Sequence, residues 1–114
     1  MTISSPRWTL GGCNLPLDGR RFRRPWGLAV LRVRPSSVTV TPGFAKRRLE
    51  IDFRGILDVE PIQLPIGQGV RLRTNDGDWI FYTYDAARLV AELTRQGVAA
   101  RTEAIRLRYS DLPQ

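Results

Sequence analysis

No histidine occurs in the chain. Its absence removes the commonest general base and the commonest metal ligand together. Ser-His-Asp and Cys-His nucleophile systems go with it. Cys13 is the one cysteine, so an internal disulfide is excluded and a zinc site lacks its donors. Lys46 is the one lysine, and no glycine-rich loop followed by lysine is present to cradle a phosphate. No apolar run approaches the roughly 18 residues needed to cross a bilayer. The best candidate, "WGLAVL", ends at Arg32. Pro6 and Arg7 precede any apolar stretch, so no secretory leader is expected. These absences predict a cytoplasmic, non-enzymatic protein without metal or cofactor.

What is present is ordinary in amount and uneven in charge. At 114 residues, 42% hydrophobic and 25% charged, the chain fits one globular domain with a single core. Eighteen Lys+Arg against eleven Asp+Glu leave a net charge of +7. Such a balance favours nucleic acid, anionic lipid surfaces or acidic proteins as partners. A GC-rich genome would produce the same excess of arginine over lysine.

Residues 1–26 carry Gly-Gly, three prolines and four arginines in five positions. They read as an irregular basic lead-in with a short strand near Trp8–Leu10. From there strand signals recur. "LAVLRVR" (28–34) and "SVTVT" (37–41) are rich in β-branched residues and are split by Pro35-Ser36. Pro42-Gly43 reads as a turn. "RRLEIDF" (47–53) alternates Leu49, Ile51 and Phe53 with Arg48, Glu50 and Asp52, the mark of a half-buried strand. "ILDVEPI" (56–62) sets Leu57 and Val59 against Asp58 and Glu60, and "VRLRT" (70–74) sets Val70, Leu72 and Thr74 against Arg71 and Arg73.

A two-residue Asp76-Gly77 turn would then pair Thr74 with Trp79 and Leu72 with Phe81, burying both aromatics. A three-residue Asn75-Asp76-Gly77 loop would instead bury Ile80 and Tyr82, because one residue of slip exchanges the faces. The shorter turn is the favoured reading, with Ile80 and Tyr82 facing outward or into a partner. Ala86, Leu89, Val90 and Leu93 form one helical stripe over about 86–96, with Asp85 as N-cap and Gly97 as left-handed C-cap. Residues 98–114 form a C-terminal extension, with a strand at 103–109, a helical continuation or a mobile tail all open.

"LRVRPSSVTVTP", "IDFRGILDVEP" and "GVRLRTNDGDWIFYTYDAARLVAELTRQG" together resemble the bacterial pleckstrin-homology-like (PH and GRAM-like) families. The resemblance spans about residues 28–97 and rests on hydrophobic spacing and turn residues. It implies a mainly β protein, an antiparallel barrel of about six to seven strands over 27–97, capped by the helix. It also implies a binding or adaptor module that takes a peptide or protein partner along a strand edge or in the groove between helix and sheet. Eukaryotic relatives hold phosphoinositides through basic residues in the loop between their first two strands. Read as Pro35-Ser36, behind Arg32 and Arg34, that loop is too short for a headgroup pocket.

Two charge clusters are candidate sites. "GRRFRR" places Arg20, Arg21, Arg23 and Arg24 around Phe22 and near Trp26. It reads as an anchor for lipid or nucleic-acid phosphates, with aromatics at the interface or stacked on bases, or as a solvated loop. Lys46, Arg47 and Arg48 either extend that patch or guard a strand edge against pairing. Anionic membrane is thus the second partner class, at the inner face of the membrane, and nucleic acid the third; a homo-oligomer through the same edge is a further option. The aromatic run Trp79, Phe81, Tyr82 and Tyr84 reads as core or as a ligand groove. Asp76 and Asp78 read as turn chemistry, and Asp58 with Glu60 as a same-face carboxylate pair without supporting groups.

Overall fold

The computed structural model describes residues 7–17, 20–24, 29–42, 48–101 and 103–112. Among them are β1 (Arg7–Leu10), β2 (Gly12–Leu17), β3 (Arg20–Arg24), β4 (Ala29–Val33), β5 (Ser37–Pro42) and β6 (Leu49–Asp52). After a 3-10 turn at Phe53–Gly55 come β7 (Ile56–Gln63), β8 (Gln68–Thr74), β9 (Gly77–Tyr82), the helix α1 (Ala86–Arg95) and the short β10 (Ile105–Arg106). The protein is mainly β with one α-helix.

The strands form two sheets, ordered β1-β4-β5-β6 and β10-β7-β8-β9-β2-β3. All pairings are antiparallel except the parallel contact of β10 with β7. The expected closed barrel of six to seven strands is therefore corrected: the described residues make two sheets and more strands. At β6 the chain passes through the 3-10 turn into the second sheet, and β6 and β7 do not pair with each other.

The lead-in carries the short strand expected near Trp8–Leu10 as β1, but where it was expected to be irregular it supplies β2 and β3 as well. Trp8 and Leu10 of β1 and Cys13 and Leu15 of β2 all enter the main core. The inward positions change from even to odd across Gly11-Gly12, where the chain leaves one sheet for the other. β1 pairs with β4 while β2 pairs with β9, and the Gly11 N–H donates to the Tyr82 carbonyl at 2.8 Å. One bent segment thereby ties both sheets.

Ala29, Leu31 and Val33 of β4, Val38 and Val40 of β5, Val59, Val70, Leu72, Trp79 and Phe81 fill the space between the sheets. Leu49, Ile51 and Phe53 pack half-buried against them, as their alternation predicts. Leu57 departs from expectation and is 53% exposed. The β7–β8 register shifts between Ile56 and Asp58, so Leu57 is the extra residue of a β-bulge and loses the face it would share with Val59.

The hairpin register also differs from both readings of the sequence. Thr74 pairs with Gly77, Leu72 with Trp79 and Val70 with Phe81, leaving Asn75-Asp76 as the loop. The Thr74 hydroxyl fixes this turn, accepting from the Asp76 N–H at 3.1 Å and donating to the Gly77 carbonyl at 2.6 Å. A two-residue shift preserves the faces, so Trp79 and Phe81 are inside, edge to face at 6.4 Å. Ile80 is buried too. It joins Ile62, Leu64 and Leu112 in a second cluster on the opposite face of the sheet, with Tyr82 and Leu107 against it. The chain's own C-terminal segment covers the face expected to point outward.

α1 buries Ala86, Leu89, Val90 and Leu93, the stripe read from the sequence. The Asp85 side chain makes no capping bond; its carboxylate instead faces Arg88 at 3.5 Å. The Arg88 guanidinium lies over the Trp8 ring at 4.3 Å, tying helix to β1. At the other end Gly97 has φ +97°. The Gly97 N–H donates to the Thr94 carbonyl and the Val98 N–H to the Leu93 carbonyl, both at 3.0 Å, a Schellman closure that turns buried Val98 back against the core.

Leu93 is fully buried, so Leu93→Ala should lower stability by about 2–5 kcal/mol, with helix and sheet melting together. A denaturant midpoint unchanged by this substitution would separate the helix from the core.

Candidate functional site

The polar chemistry concentrates on the face of β7 and β8 turned away from the main core. Register places Asp58 opposite Arg73 and Glu60 opposite Arg71, two cross-strand pairs of opposite charge. Glu60 is only 1% exposed. Its Oε2 accepts from Arg71 Nε at 2.8 Å and also from Arg71 Nη2. Its Oε1 faces Arg73 Nη1 at 3.7 Å and Arg101 Nε at 3.1 Å. Asp58 Oδ2 accepts from Arg73 Nη1 at 3.3 Å, while Asp58 Oδ1 is buried and has no hydrogen-bond partner. Three arginines thus surround two carboxylates, and one of the three comes from beyond the helix.

Arg101 belongs to a segment lying along the outer edge of β7. The Val59 N–H donates to the Ala99 carbonyl at 2.9 Å and the Arg101 N–H to the Val59 carbonyl at 2.8 Å. Further along, Ile105 pairs with Ile62 in parallel register, and the Leu107 N–H donates to the Gln63 carbonyl at 2.9 Å. Pro61 sits between these attachments. It has no N–H to offer, a residue that edges of sheets tolerate.

Beside this edge runs a groove of about 650 Å³ between α1 and β7, lined by Pro61, Ile62, Val90, Ala91, Thr94 and Ala104 among others. Its size suits a ligand or an extended chain segment, and its walls are mostly small and apolar.

The arginine clusters singled out in the sequence lie elsewhere. Arg20, Arg21, Arg23 and Arg24 fall on β3, at the far edge of the second sheet, in register with Leu17, Pro16, Asn14 and Cys13. Lys46 and Arg47 lie outside the described residues, as do Gly43 and Trp26; Arg48 is exposed just before β6. Trp79 and Phe81 are core residues and Tyr84 is 87% exposed, so the aromatic run does not line one groove. Among the described residues no three Cys, Asp or Glu side chains converge as a metal site, and no helix is long and apolar enough to cross a membrane. Comparison with protein-family models, curated proteins and solved structures found no match.

Sequence reading placed Asp58 and Glu60 on one face and Arg71 and Arg73 on one face, without joining the two. The signal was there: acidic residues two apart on one strand, basic residues two apart on the next. Arg101 carried no such signal.

Removing the carboxylate of Glu60 would leave Arg71, itself mostly buried, without its counter-charge. Glu60→Ala should destabilise the protein by about 3 kcal/mol, measured by urea unfolding. Loss of less than about 0.5 kcal/mol, the usual range for surface changes, would show that the arginines are solvated without it.

Proposed function

We propose that this protein is a non-enzymatic, PH-like binding or adaptor module that takes an extended segment of a protein partner along the β7 edge and the adjoining α1 groove. Support for the PH-like part of this reading is the order of strands β4 to β9 followed by the helix α1, which the sequence resemblance implies. The observation that carries the functional reading is the β7 edge itself. It pairs in parallel register with the chain's own β10 next to an apolar groove, a geometry that supports strand addition: backbone bonds for affinity, a pocket for side-chain selection. A cytoplasmic location accords with this reading.

Ala91 lines the groove and is exposed, so Ala91→Trp should fill the groove without disturbing the core. Peptides selected from a library against the wild-type protein should lose about tenfold or more in affinity for this variant, with an unchanged melting temperature. Selected peptides that bind both proteins equally would place the binding surface elsewhere.

A second reading, attachment to anionic membrane, is favoured by the position of β3. Pro35-Ser36 stood in the sequence for the connection between the first two strands, but β1, β2 and β3 precede it. Arg20, Arg21, Arg23 and Arg24 lie on β3, between β2 and β4. If they meet a lipid surface, each contributes about 1 kcal/mol before screening. Replacing all four by Gln should abolish co-sedimentation with phosphatidylserine vesicles at low salt. Failure of the unaltered protein to sediment with such vesicles would end this reading. Net charge alone speaks for nucleic acid, and no further observation adds to it.

A further inference from the structure

We infer that the stretches 99–101 and 105–107, which lie along β7, are a resident strap latched by Arg101, which an arginine-bearing extended segment of a partner displaces. The inference rests on the strand-addition reading above and deepens it by naming what occupies the edge in the isolated protein and what chemistry replaces it.

The described residues of this strap bond to β7 at two places. Ala99 and Arg101 bond to Val59, and Leu107 bonds to Gln63. Glu103 and Ala104 between them are exposed and outside any strand, and a cavity of about 410 Å³ lies against Ala100, Arg101, Glu103, Ala104 and Ile105. No described residue from 99 to 108 is buried. Val98 before the segment and Leu112 after it are buried, in the main core and in the second cluster respectively. Ala100 and Leu107 pack only partly buried against the two clusters, so the strap has anchored ends and no buried side chain among its described residues, the kind of element that opens locally at low cost.

Among the described residues its one charged side-chain contact is specific. Arg101 Nε reaches Glu60 Oε1 at 3.1 Å, and Glu60 is buried on the strand that forms the edge. A carboxylate so far from water needs cationic donors. Arg71 and Arg73 cannot leave with the strap, because they belong to β8 in the same sheet. An incoming segment therefore has one vacated position to satisfy, that of the Arg101 guanidinium, and a planar, always charged fork fits it better than lysine. Asp58 Oδ1, buried and unbonded two residues along β7, offers a further acceptor for the same guest.

A tethered strap competes at an effective concentration on the order of millimolar, and a competitor's apparent affinity falls by the fraction of molecules that are open. The test uses the full chain and a fluorescent synthetic peptide of residues 98–108. Arg101→Ala in the protein should tighten peptide binding about fivefold, as expected for loss of a partly exposed ion pair. The same peptide carrying Arg101→Glu should bind far more weakly. Hydrogen exchange at the amides of residues 101 and 107 should quicken about fivefold in Arg101→Ala, and amides of α1 should keep their protection, showing that the variant is folded. Equal peptide affinity in both proteins would overturn the resident strap while leaving strand addition in place. Quickened exchange at 101 and 107 with no peptide bound would overturn the docking edge, and the strap's role with it. Unchanged exchange in the variant would overturn the latch.

Discussion

A carboxylate buried as deeply as that of Glu60 must carry its counter-charges with it, and much of the second sheet is arranged around that requirement. Arg71 satisfies it from the neighbouring strand, which fixes the β7–β8 register on the outer face as firmly as Val59, Val70 and Leu72 fix it on the inner one. Arg73 is shared between Glu60 and Asp58. Arg101 brings in the C-terminal segment. A purely apolar face would have tolerated more slippage, since dispersion and hydrophobic contact carry little direction, whereas an ion pair of this geometry has one register.

The same sheet is covered on both sides. Its inner face meets the first sheet and α1 in the main core, and its outer face meets Leu107 and Leu112 around Ile62, Leu64 and Ile80. Close approach is part of this arrangement: a side chain at Gly69 would bring its Cβ within 2.2 Å of the Phe81 carbonyl oxygen. Covering both faces leaves the edges as the places where another chain can add. One edge of this sheet is basic β3, and at the other the short β10 lies beside β7. These are the two surfaces to which the protein-partner and membrane readings attach, so the choice between them is a choice between opposite edges of one sheet.

Strands β4 to β9 and the helix were legible in the sequence because their patterns are local and regular. Leu49 and Ile51 alternate, Ala86 to Leu93 recur at helical spacing, and Gly97 stands where a left-handed residue closes the last turn. β1 and β2 were not legible as a pair. Trp8 and Leu10 face the core at even positions and Cys13 and Leu15 at odd ones, so any alternating pattern fails across the Gly11-Gly12 bend. β3 hides behind its arginines, since an edge strand held by one neighbour needs no apolar alternation. Leu57 misled for the opposite reason, as the pattern continued through a bulge that the backbone did not respect.

By itself the sequence determined a mainly β chain with one helix, the core-facing residues of the regular strands apart from Leu57, and the absence of histidine-dependent chemistry. Each of these follows from composition or from neighbours a few residues apart. Only the tertiary structure decided that two sheets form, that Glu60 is buried beneath three arginines, and that the stretches 99–101 and 105–107 lie along β7. Those outcomes depend on pairings between residues far apart in the chain, where what a side chain meets is set by packing and by the need to match a buried charge.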